Sequence, residues 1–147
     1  MEMLNFKKDF VQRTKEIVNE NCNANNDYEV SLLINCLCGL VSLPTEDTDN
    51  SEEEFISEVV EKLKEMSVVK IQTEDKKTFR ALKNALSHMH ILVGNEMGKI
   101  VKVGFKDKLP GSDKFHTEFE FSVENLKDFA LYVADMHLKR YEKIDIE

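Results

Sequence analysis

Phe79-Arg80-Ala81-Leu82-Lys83-Asn84-Ala85-Leu86-Ser87-His88-Met89-His90 holds both a strong helix pattern and the densest group of chemically useful side chains in the sequence. At about 100° per residue, Phe79, Leu82, Ala85, Leu86 and Met89 fall on one side of a helix. Arg80, Asn84 and His88 follow one another at four-residue steps and form a polar stripe on the other side, flanked by Lys83 and Ser87. A cation, an amide, a hydroxyl and an imidazole on one surface suit the holding of an anion and the movement of a proton. The plainer alternative is a solvated helix face with a chance histidine.

Outward from this stretch the helices continue on both sides. The first helix is expected over residues 4–21, with Phe10, Val11, Ile17 and Val18 facing inward. Asn23-Ala24-Asn25-Asn26-Asp27 reads as a turn, and Asn26 or Asp27 starts a second helix. That helix is apolar nearly all round from Val30 to Leu43, which predicts a central, buried element with Asn35 as a satisfied core amide. Pro44 ends it. An acidic loop over 45–50 leads to Ser51-Glu52-Glu53-Glu54, the form of a capping box. Consecutive carboxylates splay around a helix, so a metal reading of this cluster is weak. Phe55, Val59, Leu63 and Met66 are the inward stripe of the third helix. Residues 67–72 read either as its continuation or as a short extended connector. Thr73-Glu74-Asp75 caps the fourth helix, which carries the quoted stretch to about residue 91.

Beyond Gly94 the period changes to two. Val103 and Phe105 alternate with Lys102 and Lys106. After a turn at 109–113, Phe115, Thr117, Phe119 and Phe121 answer with His116, Glu118 and Glu120 between them. This predicts a two-stranded antiparallel hairpin over about 99–121, with Lys–Glu pairs on its wet face. An isolated hairpin is marginal and must lean on the helices or on a partner. Ser122 caps a last helix in which Leu126, Phe129, Ala130, Val133 and Met136 pack inward. Asp135, Lys139, Arg140 and Glu142 keep that helix soluble, and 143–147 fray. The class is mainly α: about five helices, with the hairpin before the last, in one domain spanning 1–147.

Bulk properties bound the function. With 147 residues, 41% of them hydrophobic, the chain supports one globular core. It contains no run of about 18 apolar residues and no signal-peptide core, so a cytoplasmic protein without membrane contact is expected. Cys22, Cys36 and Cys38 read as reduced core thiols, neither a disulfide framework nor a zinc site. A net charge of −8 argues against broad nucleic-acid binding, yet the charge is uneven. Residues 45–61 carry eight acidic and no basic groups, whereas 62–114 carry twelve basic and six acidic. The basic surplus surrounds the Arg80–His88 stripe and offers a surface for a phosphate backbone.

His88 is the best single candidate, because an imidazole exchanges a proton near neutral pH. Asn84 can donate to a phosphate, orient the histidine or cap local backbone. Two residues apart on a helix, His88 and His90 point to different sides and lack the four-residue spacing of a zinc pair, so His90 reads as structural or exposed. Ser87 diverges from His88 by about 100° and is no serine nucleophile. His116 and His137 have no partner in the sequence. No metal or cofactor is implied.

Lys83-Asn84-Ala85-Leu86-Ser87-His88 resembles the Arg-Asn-x-x-x-His signature of the HEPN family, the higher eukaryotes and prokaryotes nucleotide-binding domain, with Lys83 in place of the arginine. Tyr28-Glu29-Val30-Ser31-Leu32-Leu33-Ile34-Asn35, continuing to Gly39-Leu40-Val41-Ser42-Leu43-Pro44, is similar to the buried helix of small stand-alone bacterial members. The resemblance implies an up-and-down helical bundle that forms a homodimer with the two signature helices facing each other. Active members are metal-independent endoribonucleases, often toxins or antiphage effectors, whose paired Arg and His enter one cleft from both protomers. On that pattern His88 is the general base, Asn84 assists, and Arg80 or Lys83 stabilises phosphate charge. RNA would be the substrate, and a protein antitoxin or a nucleotidyltransferase the partner. The alternative is a catalytically silent HEPN protein that binds RNA, nucleotide or a protein, a reading that Lys83 and the overall acidity favour.

Overall fold

The computed structural model describes residues 3–23, 26–43, 51–70, 74–108 and 115–146. Five helices are described: α1 (Met3–Asn21), α2 (Asp27–Ser42), α3 (Ser51–Met66), α4 (Asp75–Ser87) and α5 (Val123–Ile146). Four strands accompany them: β1 (Val68–Val69), β2 (Ile91–Glu96), β3 (Lys99–Lys108) and β4 (Phe115–Ser122). The helical bundle and the β3–β4 hairpin before the last helix are as expected. The hairpin does not stand alone, however. β1 and β2 pair on either side of it in an antiparallel sheet of order β1-β4-β3-β2.

The short connector after α3 is thus extended, not helical. Val68 pairs with Glu120, Val69 with Phe119, and the Lys70 N–H donates to the Glu118 carbonyl at 3.2 Å. On the sheet's inner face Val103, Phe105, Thr117, Phe119 and Phe121 are buried. On its wet face Lys102 meets Glu120 at 3.4 Å, and Glu118 receives both Lys70 at 2.9 Å and Lys106 at 3.6 Å. The two lysines hold the Glu118 carboxyl below its ordinary range. Such exposed pairs set register more than they add stability.

The central helix is α5, not α2. It packs against α1, α2, α3 and the inner face of β3 and β4. Ser122 starts it by accepting the Asn125 N–H at 3.2 Å, as its sequence suggests. Leu126, Phe129, Ala130, Val133 and Ala134 are fully buried along it, with Met136 half-buried. Phe129 and Phe121 sit 5.4 Å apart, and Phe121 meets Phe105 edge-on at 6.0 Å, so one aromatic run ties helix to sheet. The helix continues through Ile146, where fraying was expected. Arg140, expected at the surface, is buried, with its guanidinium 5.2 Å from the centre of the Phe55 ring.

α2 buries Val30, Leu33, Cys36, Leu37, Leu40 and Val41, but Asn35 is exposed, so the amide is no core group. Hydrophobicity all round the helix was misleading, because Leu32, Ile34 and Cys38 are only half-buried. Asn26 is its N-cap, its side chain accepting from the Glu29 N–H at 3.0 Å. α1 lies close to α2 because Gly39 has no side chain: a Cβ there would sit 3.1 Å from the Phe10 ring. Val11 and Val18 face the core as expected, whereas Ile17 is 38% exposed. Cys22 and Cys36 meet in the core between these helices as free thiols, and burial pushes Cys22 up to about 11.

In α3, Phe55, Val59 and Leu63 are buried and Met66 is half-buried, and Phe55 meets Phe79 of α4 edge-on at 6.1 Å. Glu74 occupies the N-cap position of α4 without a side-chain bond to it. The expected cap at Thr73, the acidic loop 45–50 and the turn 109–113 lie outside the described residues, as do the side chains of Ser51 and His116.

Candidate functional site: the C-terminal end of α4

α4 buries Thr78, Phe79, Ala81, Leu82, Ala85 and Leu86 against α3, α2 and β3, which turns the rest of its surface outward. Arg80, Ser87 and His88 are exposed, and Lys83 and Asn84 are half-buried. The four candidate residues are thus all accessible, three along α4 and His88 at its C-cap. They differ in what holds them. The Lys83 ammonium reaches back one turn and lies 5.9 Å from the centre of the Phe79 ring, a cation–π contact. The Asn84 backbone carbonyl accepts the His88 N–H at 2.9 Å.

The helix ends earlier than its periodicity suggests. Ser87 is its last residue and His88 its C-cap, with φ −95° and ψ 5°. Met89 has φ 57°, the left-handed conformation usually taken by glycine. The Met89 N–H donates to the Leu86 carbonyl at 3.3 Å and the His90 N–H to the Ala85 carbonyl at 2.9 Å, the paired bonds of a Schellman motif. The chain then reverses into β2, so the expected helix to residue 91 is corrected.

This turn changes the relation of the two histidines. On a continuous helix they diverge. Across the turn their rings stack, with centroids 5.8 Å apart and planes 29° apart. His90 is half-buried, and its carbonyl accepts the Lys106 N–H at 3.0 Å, which fixes it to β3. His88 is the exposed member. Sequence reasoning left His90 aside because it kept the helix running. The signal that could have corrected it is Ile91-Leu92-Val93, an aliphatic run with two β-branched residues before Gly94-Asn95 that reads better as a strand.

His137 is far from this surface chemically. It is fully buried in α5, where one ring nitrogen, Nε2, lies 2.8 Å from the Leu40 carbonyl and therefore carries the proton it donates. Burial pushes its pKa down to about 4. It stacks on Tyr141 at 6.0 Å and lies 4.6 Å from the Phe55 ring, so it is a core residue. Among the described residues no group of three His, Cys, Asp or Glu is arranged to hold a metal ion, and no helix is long and apolar enough to cross a membrane.

A helical domain with a polar, histidine-bearing surface on its fourth helix is the architecture expected of a HEPN domain. The family profile described as HEPN pEK499 p136 matches residues 1–144, and the chain belongs to that family. Membership places it in a superfamily of nucleotide-binding and RNase-type domains. No curated protein and no solved structure matches it significantly.

Proposed function

We propose that the protein is a metal-independent endoribonuclease of the HEPN type, acting in the cytoplasm as a toxin or phage-defence effector, and that α4 supplies half of a twofold cleft. The observation that carries this reading is the exposed His88 imidazole at the end of α4, one turn after Asn84, on the basic segment of an acidic chain. In the reaction His88 removes the proton of a ribose 2′-hydroxyl. The freed oxygen attacks the adjacent phosphorus, the bond to the 5′ oxygen breaks, and that oxygen takes up a proton. The products are a 2′,3′-cyclic phosphate and a 5′-hydroxyl. Arg80 offsets the charge that develops on the phosphate, where a guanidinium gives two parallel donors. Lys83, at the signature's arginine position, offers only a mobile point charge.

One specific observation favours a second reading. The Lys83 ammonium rests on Phe79, its own helix neighbour, which leaves the signature cation engaged away from His88. A HEPN protein that binds RNA, nucleotide or a protein partner, an antitoxin or nucleotidyltransferase among them, without cleaving anything fits that arrangement. Incubation of end-labelled RNA with the purified protein in EDTA, beside His88→Ala, separates the two. Fragments with cyclic phosphate ends that vanish in His88→Ala support the nuclease. RNA retained intact but bound supports the second reading.

A further inference from the structure

We infer that the free edge of β2 is the dimer interface, pairing antiparallel with β2 of a second copy about a twofold axis at Val93. Among the described residues β2 ends the sheet on one side and pairs only with β3. The His90 carbonyl accepts from Lys106, and Ile91 stands opposite Phe105, so His90, Leu92 and Gly94 direct their backbone groups at β3. Alternation then directs the N–H and C=O groups of Ile91, Val93 and Asn95 at the open edge. Protective devices usually blunt such an edge: charges, proline, or a covering element. Ile91-Leu92-Val93-Gly94-Asn95 has neither a charge nor a proline, and Leu92 and Val93 are 56% and 46% exposed. The bulge in this ladder, between Gly94 and Asn95, puts its extra residue on β3 and leaves β2 regular.

The sequence is complementary to itself in one register. With Val93 opposite Val93, every outward N–H meets an outward C=O, because Ile91 falls opposite Asn95. Leu92 falls opposite Gly94, whose missing side chain makes room for it. At each end His90 falls opposite the carboxylate of Glu96. The next residues out are Met89 opposite Met97, which are 71% and 100% exposed and both held at positive φ. A shift of the axis to Gly94 instead sets Leu92 against Glu96. A shift to Leu92 leaves both His90 and Glu96 without these partners. A second copy of this chain is thus the occupant that the edge fits.

The interface rests on sheet geometry alone and does not require the nuclease reading, yet it supplies what that reading lacks. A twofold axis perpendicular to the paired sheets keeps both inner faces on the same side. α4 packs on β3, one strand in from the edge. The two α4 helices would then stand either side of the axis, over β3 strands about 14 Å apart (three strand spacings). A groove floored by Ile91 and Val93 of both copies lies between them.

The test uses the full chain. Light scattering at micromolar concentration should give a dimer, and Val93→Lys should give a monomer with unchanged circular dichroism. Val93→Cys should form a disulfide-linked dimer on mild oxidation, since residues facing each other in such a pair have Cα atoms about 5.5 Å apart. Met97→Cys should not link to itself, and the parent chain, with its own three cysteines, is the blank. A monomeric parent chain, a dimeric Val93→Lys, or linkage through Met97→Cys in place of Val93→Cys would overturn the interface. None of these results depends on RNA cleavage, so failure here is distinct from failure of the nuclease reading.

Discussion

The imidazoles of His88 and His90 stack at 5.8 Å although only Met89 separates them. The left-handed conformation of Met89 makes this contact, by ending α4 and folding His90 back beside the last turn. A non-glycine residue held there costs about 1 kcal/mol or more. The strain therefore lies at the one place where the helix surface gains a second imidazole.

If His90 positions His88, truncation should show it without removing the base. His90→Ala is expected to lower kcat on RNA about tenfold, equivalent to about 1.4 kcal/mol, with little change in KM. His90→Phe, which keeps a ring for stacking, should restore most of the loss. Equal losses in both variants would mean that the His90 nitrogens, not its ring face, are at work.

Lys83→Arg restores the family's signature and should raise cleavage, because a guanidinium grips phosphate in a fixed fork. Arg80→Ala should lower it. His88→Ala should abolish it in either background. Single-turnover rates on one labelled RNA check all three.

Stability should weaken in mild acid because of His137. Above its ordinary value of 6.5 the ring is neutral whether the chain is folded or not. Between 6.5 and about 4 the unfolded chain takes up a proton that the buried ring refuses, so folding stability falls as pH falls through that window. The loss is on the order of 3 kcal/mol. Urea midpoints measured from pH 7 to 4 should drop more steeply for the parent than for His137→Leu. The variant starts lower, by roughly 1–3 kcal/mol, because the Leu40 carbonyl loses its donor.

Met89 also offers a test that separates fold from assembly. In the monomeric Val93→Lys background, Met89→Gly should raise stability by about 1 kcal/mol, since glycine accepts positive φ without penalty. Alone, the same substitution should weaken the dimer, because it removes an exposed side chain opposite Met97. Urea unfolding and sedimentation equilibrium read the two effects.

Much of this architecture is legible in the sequence, and the exceptions have physical causes. Helical periodicity located the inward stripes of α3, α5 and, except for the exposed Met89, α4, and alternation located β3 and β4, because each of these elements buries one face. β1 is two residues long, too short for any period, and β2 buries so little that no alternation marks it. Arg140 reads as a surface group from its charge, and nothing in the sequence marks His137 as buried. In the structure an aromatic ring covers the guanidinium and a main-chain carbonyl satisfies the imidazole. At the candidate site the sequence proposes Arg80, Asn84 and His88 through their spacing and Lys83 through its place in the signature. It concealed His90, since helical periodicity runs on through Met89 and only the strand-like stretch from Ile91 hints at the break.

The most direct test of the account is cleavage of labelled RNA in EDTA by three proteins side by side: the parent chain, His88→Ala, and monomeric Val93→Lys. Cyclic-phosphate fragments are expected from the parent chain and none from either variant, one lacking the base and the other the second half of the cleft. Fragments produced equally by His88→Ala, or no cleavage by the parent chain and by Lys83→Arg, would contradict it.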